Sequence, residues 1–206
     1  MKTVVALFAG FWAMIFVTGL ANPGYQHYRY HVSLLAADGA RLIWLTTVAI
    51  LLTAMAQWVA ARIFWRVNRL VSLLLIVAGG ALVAVALFRV PCPPRAQFCT
   101  YTVDDTPAEA VHNNAVIVYA VATMIAMIAL GIVSITRGHH NLVGIPGLVA
   151  AALFALGFGG MLVWPAGLAQ RTWIIVGQLW LVAAVFEAQR RRALREQAVR
   201  EHVMSA

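Results

Sequence analysis

The chain has 206 residues, of which 63% are hydrophobic and 11% charged, and its formal net charge is +8. Soluble domains contain about 25% charged residues, so this composition excludes an ordinary water-soluble domain. A basic chain can also indicate nucleic-acid binding, but the sequence has no nucleic-acid motif and no interleaving of aromatic with basic residues. We therefore expect a membrane protein that binds no nucleic acid.

Six apolar runs follow one another along the chain, each long enough to cross a bilayer as a helix, which takes roughly 20 residues. The runs cover residues 3–21, 42–61, 70–88, 115–135, 142–163 and 172–188. The first ends in Gly19-Leu20-Ala21, which resembles a signal-peptidase site. Because this run is longer than the apolar region of a signal peptide, we interpret it as a retained span.

The predicted fold is therefore all-α: a polytopic membrane protein built as a bundle of six transmembrane helices. We expect residues 1–206 to form a single transmembrane domain in which residues 189–206 are a basic cytoplasmic tail. Glu187–Arg191 and Glu196–Arg200 have the i,i+4 spacing of helical ion pairs. The tail is therefore predicted to continue the sixth helix.

The distribution of basic residues predicts the orientation of the bundle. Cytoplasmic loops are enriched in Lys and Arg, and segments on the side of the two termini contain twice as many of these residues as the opposite segments. Both termini are therefore predicted to be inside. Tryptophans at both ends of the spans suit an aromatic belt, with Trp44, Trp164 and Trp173 outside and Trp58 and Trp65 inside.

Both cysteines of the chain, Cys92 and Cys99, lie in the second outer loop, in the segment PCPPRAQFC. In an oxidising compartment such a pair closes a disulfide, and prolines stiffen the same turn. The alternative is a redox or metal pair, but the spacing is not C-x-x-C and no other cysteine completes a zinc site. We predict a structural disulfide.

Polar side chains that can carry chemistry are concentrated in the first and second outer loops. These candidates are His27, His31, Ser33, Asp38, Asp104, Asp105 and His112. Imidazole and carboxylate groups are zinc ligands, so His27, His31, His112 and Asp104 are candidate ligands for a zinc ion that would activate a water molecule. The alternative is a hydrogen-bond network that ties the two loops together.

The second loop also contains a helix-start pattern, with Thr106 as the N-cap, Pro107 in the first helical position and Glu109 in the first turn. The spans themselves contain no Asp, Glu, Lys, Arg or His except at their ends, and Gln57 and Gln178 are their most polar residues. This absence disfavours ion-coupled transporters, proton pumps and voltage sensors, which place ionisable residues inside the bilayer.

The first loop contains the segment HVSLLAADGA, and the second leads into DDTPAEAVH. With a Pro/Cys-rich segment between them, the pair resembles the bacterial membrane family called domain of unknown function 998, which has six predicted helices. The matching positions are His31, Ser33, Gly39, Pro91, Cys92, Asp104 and His112. The resemblance implies a six-helix protein of a bacterial inner membrane.

The layout is also distantly similar to DRAM-like six-helix proteins, which are associated with lipid handling. It is similar as well to ceramidase-like hydrolases, whose zinc sites use histidines, an aspartate and a serine. Those hydrolases differ from this chain, which has six spans and no histidine in the last two.

Three functions are consistent with these observations. The first is a non-enzymatic protein that binds membrane lipid or packs as an accessory subunit against another membrane protein. The second is a metal-dependent hydrolase of a lipid or amphiphile at the outer His/Asp cluster. The third is an uncoupled transporter of small molecules.

Overall fold

The protein is all-α, and a computed structural model describes its residues 1–94, 96–100, 106–137, 143–161 and 163–205. The described residues form six α-helices and one short 3-10 helix. The α-helices are α1 (Lys2–Ala21), α2 (Ile43–Phe64), α3 (Arg69–Leu87), α4 (Pro107–Thr136), α5 (Ile145–Gly160) and α6 (Ala166–Ser205). The 3-10 helix Val32–Ala36 lies between α1 and α2.

The helices form an up-and-down bundle in which each packs against the next along the chain, and α6 also contacts α1 and α2. Both termini are therefore at one end, which we call the tail end. The opposite end, the loop end, carries the connections after α1, α3 and α5. The 3-10 helix contacts α1, α2 and α6, so it lies across the loop end.

Local sequence explains where several helices begin. The side chain of Asn68 accepts a hydrogen bond from the amide of Val71 and caps α3. Thr106 caps α4 by accepting from the amide of Glu109 at 3.1 Å, with Pro107 directly after it. The predicted N-terminal pattern of α4 is confirmed, and the helix begins eight residues before the apolar run from which its span was predicted.

Five of the six helices are long and apolar enough to cross a membrane, and α5 is a shorter apolar helix of 16 residues. At about 1.5 Å per residue, α5 is roughly 24 Å long, less than the ~30 Å of a bilayer core. Its predicted span of 142–163 was longer because apolar residues continue past both helix ends.

The sixth helix is one continuous element of 40 residues. It is roughly 60 Å long, so the basic tail continues the helix, as predicted. Glu187 does bond Arg191 at 2.8 Å. Glu196 has the same spacing from Arg200, but its carboxylate bonds Arg192 on the preceding turn, also at 2.8 Å.

Apolar side chains cover the outside of the bundle as well as its core. Leu20, Leu87, Leu156 and Leu179 are each more than half exposed, as expected for a surface solvated by lipid chains. Trp44 and Trp164 are likewise exposed near the helix ends, but Trp173 is only 3% exposed. The prediction that Trp173 belongs to an aromatic belt was wrong, since its ring packs inside the bundle.

Candidate functional site

The first connection at the loop end is held against the start of α6 by one arginine. The guanidinium of Arg171 donates to the backbone carbonyls of His27, of Tyr30 at 3.0 Å and of Gly167 at 2.9 Å. It also donates to the hydroxyl of Tyr25 at 2.7 Å and lies 3.3 Å from Nδ1 of His27. Arg171 therefore bonds four residues at once.

Backbone bonds strengthen the same junction. The amides of Gly167 and Leu168 donate to the carbonyls of Arg29 and Tyr28, at 3.2 and 2.8 Å. The side chain of Gln170 accepts from the amide of Val32 at 2.5 Å. The first half of the first loop, residues 25–32, is thus bonded to the first two turns of α6.

The first and second loops are joined through Asp38 and through one aromatic cluster. The carboxylate of Asp38 pairs with Arg89 at 2.8 Å, and its carbonyl accepts from the amide of Thr100 at 2.8 Å. Gly39 has φ +82, and a Cβ there would lie 2.1 Å from the Thr100 hydroxyl. Only glycine suits both this backbone conformation and this approach.

The disulfide predicted between Cys92 and Cys99 is present. It closes the segment that contains Phe98, whose ring contacts those of Tyr25 and Tyr30 edge-on, with centroids 5.1 and 5.0 Å apart. The disulfide therefore holds an aromatic side chain that packs the second loop onto the first.

The candidate histidines occupy different places in this assembly. His27 lies over the end of α1, where a Cβ on Gly19 would be 2.4 Å from its ring, and it meets the Tyr25 ring edge-on. His112 lies at the start of α4, with Nδ1 2.6 Å from the carbonyl oxygen of Phe88. His31 is close enough to both Arg171 and His112 to be influenced by their charges.

Burial and the Arg171 charge act together on the titratable groups of the first loop. Burial lowers the pKa of His27, and the positive charge of Arg171 lowers it further. Burial and then Arg171 and His112 lower the pKa of His31. Burial raises the pKa of Tyr25, although Arg171 opposes that change. Both imidazoles are therefore held in the neutral form that a hydrogen-bond acceptor requires.

The zinc site stays a prediction. Within the part of the chain that the structure describes, no three His, Cys, Asp or Glu side chains are grouped so that they could hold a metal ion. Asp104 and Asp105 lie outside the described residues. Of the remaining candidates, Asp38 pairs with Arg89, and only Ser33 and His112 line the same cavity.

That cavity, which we call the loop-end cavity, has a volume of about 50 Å³ and lies between the 3-10 helix and the loop-end halves of the helices. A second concavity, the tail-end groove, has a volume of about 1090 Å³. Its walls contain Trp58, Trp65 and Glu196 together with six arginines: Arg62, Arg66, Arg137, Arg191, Arg192 and Arg195.

The residues that organise the loop end were not predicted from the sequence. Gln170 and Arg171 were not among the candidate site residues, although they form the polar pair directly before the sixth apolar run. Trp173 was predicted to belong to an aromatic belt, and Thr53 was not singled out. The position of Gln170 and Arg171 is a usable signal, whereas nothing in the sequence separates Thr53 from other threonines in the spans.

The fold and these two sites define a polytopic α-helical membrane protein with a polar, disulfide-stapled loop end and a basic tail end. The chain belongs to the family described as "Protein of unknown function (DUF998)", whose model matches residues 4–187. This membership confirms the resemblance inferred from the two loops. No curated protein and no solved structure matches the chain.

Proposed function

We propose that this protein is a non-enzymatic membrane protein that binds anionic lipid in the tail-end groove. The proposal is supported by one observation, the convergence of six arginine and two tryptophan side chains on a single concavity. The volume of about 1090 Å³ is at the upper end of ligand pockets. It therefore has room for a phospholipid headgroup and the beginnings of its chains.

The charges around the groove are only partly neutralised by the protein. Arg191 pairs with Glu187 and Arg192 pairs with Glu196, both at 2.8 Å. In the described ranges of the chain, the other four groove arginines form no ion pair with a carboxylate. Guanidinium groups match phosphate oxygens in bidentate geometry, so the groove is complementary to a phosphate-bearing headgroup.

The tryptophans suit the depth at which a headgroup meets its chains. Trp58 and Trp65 are 42% and 47% exposed, and the indole nitrogen of Trp58 donates to the carbonyl of Ile76 at 3.2 Å. Indole rings favour the interface between lipid chains and headgroups. Two such rings at the mouth of a basic groove would contact the upper part of the acyl chains.

In the predicted orientation, the groove faces a leaflet that contains anionic lipid. With both termini inside a bacterial inner membrane, the tail end faces the cytoplasmic leaflet. Anionic lipids give that leaflet a negative surface potential, worth about 1 kcal/mol for each nearby Lys or Arg. A lipid-binding accessory role needs no catalytic group. The groove arginines could also bind an acidic segment of a membrane protein partner.

Lipid selectivity tests the proposal. Protein purified in dodecyl maltoside would be titrated with phosphatidylglycerol and with phosphatidylcholine, and binding followed by native mass spectrometry. We expect phosphatidylglycerol to bind preferentially. Arg62→Gln combined with Arg66→Gln should weaken that binding about 30-fold, since two charges contribute about 2 kcal/mol.

The matched control is Arg29→Gln combined with Arg41→Gln, which removes the same charge from the loop end. It should leave lipid binding unchanged. Equal binding of both lipids, or an equal loss in the two double variants, would overturn the proposal. Co-purification of a protein whose release requires the groove variant would point to a protein partner instead.

A further inference from the structure

The loop-end cavity carries a second inference, independent of the tail-end groove. Its polar wall residues are Ser33, Thr53, His112, Tyr119, Gln170 and Trp173, and the rest of the wall is apolar. Ser33, His112 and Gln170 lie near the loop end. Thr53 is ten residues along α2 from its start at Ile43, about 15 Å deeper at 1.5 Å per residue. The cavity is thus a narrow slot running from the interface into the bundle.

Two of these polar side chains are buried with their hydrogen-bonding atoms unpaired. Thr53 and Trp173 are 4% and 3% exposed. The Thr53 hydroxyl and the Trp173 indole nitrogen have no hydrogen-bond partner among the described residues. An unpaired polar group in a protein interior is unfavourable, and lipid offers no replacement partner. The pair is therefore suited to a polar atom brought in by a ligand.

The chemistry of the wall indicates what that atom is. An indole nitrogen can only donate, and a hydroxyl can donate or accept, so both groups are satisfied by a ligand oxygen that accepts. No wall residue that the structure describes is Asp, Glu, Lys or Arg. A charged ligand would therefore be buried without a counter-charge, which is costly. The ligand is neutral and carries an acceptor oxygen.

The volume of the loop-end cavity limits the shape of the ligand. An engineered cavity of about 150 Å³ holds benzene, so a space of about 50 Å³ does not admit a ring. It admits a carbonyl group with its neighbouring carbons. Val116 in the wall is partly exposed, so the remainder of a linear molecule can extend from the slot along the protein surface.

We propose that the loop-end cavity binds the carbonyl group of a linear neutral amphiphile of the fatty-ester class. The carbonyl oxygen accepts hydrogen bonds from the Trp173 indole and the Thr53 hydroxyl. Apolar wall residues contact the adjoining chain. His112 also lines the cavity, and its Nδ1 donates to the Phe88 carbonyl, which leaves Nε2 of the neutral ring as an acceptor.

The test compares methyl laurate with dodecane, which has an equally long chain but no carbonyl group. Thermal unfolding would be followed in dodecyl maltoside, a detergent that also lacks a carbonyl. Methyl laurate should raise the melting temperature in a saturable way, as expected for a ligand of the folded state, and dodecane should not. Thr53→Val should lower the affinity for methyl laurate roughly fivefold to tenfold, because it removes one hydrogen bond to the ligand.

Two control variants separate the site from general effects. Thr47→Val changes a threonine of the same helix whose hydroxyl already bonds the Ile43 carbonyl at 3.3 Å, and Trp44→Phe changes an exposed tryptophan of the loop end. Both should bind methyl laurate as the wild type does, whereas Trp173→Phe should not. Equal stabilisation by ester and alkane, stabilisation by neither, or equal weakening in Thr47→Val would each overturn the proposal.

Discussion

Arg171 is the residue on which the loop end depends most. Its guanidinium makes charged hydrogen bonds to two backbone carbonyls of the first loop, those of His27 and Tyr30. Hydrogen bonds to charged groups contribute about 1.5–3 kcal/mol each. Arg171→Gln should therefore lower the free energy of unfolding by about 3 kcal/mol, and it should also change how stability depends on pH.

The sign of that pH dependence follows from the histidines. The pKa values of His27 and His31 are lower in the folded protein than the ordinary value of 6.5. The unfolded chain therefore binds more protons as the pH falls below 6.5, and protonation favours unfolding. The stability from the neutral imidazoles is fully present above that pH and is lost as the pH falls through the lowered pKa values.

Unfolding of detergent-solubilised protein between about pH 5 and 8 would measure this loss. In Arg171→Gln the dependence should become shallower without vanishing, because burial, the larger cause of both pKa changes, remains. Arg41→Gln is the control, since the backbone and not the side chain of Arg41 bonds Asn22. A slope as steep in Arg171→Gln as in the wild type would contradict the role of the charge.

At the scale of helix packing, two adjacent glycines of α3 differ sharply in what surrounds them. A Cβ on Gly79 would lie 2.4 Å from the indole nitrogen of Trp58 on α2, whereas a Cβ on Gly80 would meet nothing within 4 Å. Gly79→Ala should therefore destabilise the protein by about 1–3 kcal/mol through overpacking. Gly80→Ala should be neutral or stabilising by up to about 1 kcal/mol, because alanine favours the helix.

Thermal unfolding of the two variants in the same detergent measures this difference. Each change adds one methyl group to the same helix turn, so detergent effects cancel between them. The same melting temperature for both variants would show that Trp58 can move away at little cost. Trp58 also lines the tail-end groove, so a displaced indole should weaken phosphatidylglycerol binding in Gly79→Ala alone.

The helices themselves were predictable because membrane spans leave long apolar runs that a composition window detects. Helix ends were predictable where a local signal exists, as at Thr106 before α4. The C-terminal end of α5 and the start of α6 were not, because apolar residues continue across the connection between them. A helix ends there for reasons of packing that hydropathy does not encode.

The location of the candidate site could be predicted from the sequence, but the hydrogen bonds that hold it together could not. Placing Ser33, Asp38 and the histidines at one end followed from the order of the spans. The role of Arg171 did not, because its partners are mostly backbone carbonyls of a loop 141 or more residues earlier in the chain. Every residue has a backbone carbonyl. The residue types therefore do not show which carbonyls accept a hydrogen bond from an arginine.

Over the whole molecule, the two ends have different chemistry. The tail end has a groove in which four of the six arginines form no ion pair among the described residues. The loop end combines a disulfide, neutral imidazoles and a small uncharged cavity. A disulfide persists in an oxidising compartment and is rare in the cytosol. Positive charge is enriched on the cytoplasmic side. These two independent rules predict the same orientation, with the loop end outside.

Cysteine labelling tests that orientation directly. The native cysteines are disulfide-bonded, so a single introduced cysteine reports its own side of the membrane. Tyr28 at the loop end is 58% exposed, and Val203 in the tail is 71% exposed. With a membrane-impermeant maleimide on intact cells, Tyr28→Cys should be labelled, and Val203→Cys should be labelled only after permeabilisation.

The reverse pattern would have consequences beyond orientation. It would place Cys92 and Cys99 in a reducing compartment, where their disulfide would not persist, and the tail-end groove against the leaflet with fewer anionic lipids. The selectivity for phosphatidylglycerol in detergent would survive, because it depends on the arginines and not on the membrane side. That selectivity would then have no role in the cell. Labelling therefore tests whether the groove faces the leaflet that contains the anionic lipid.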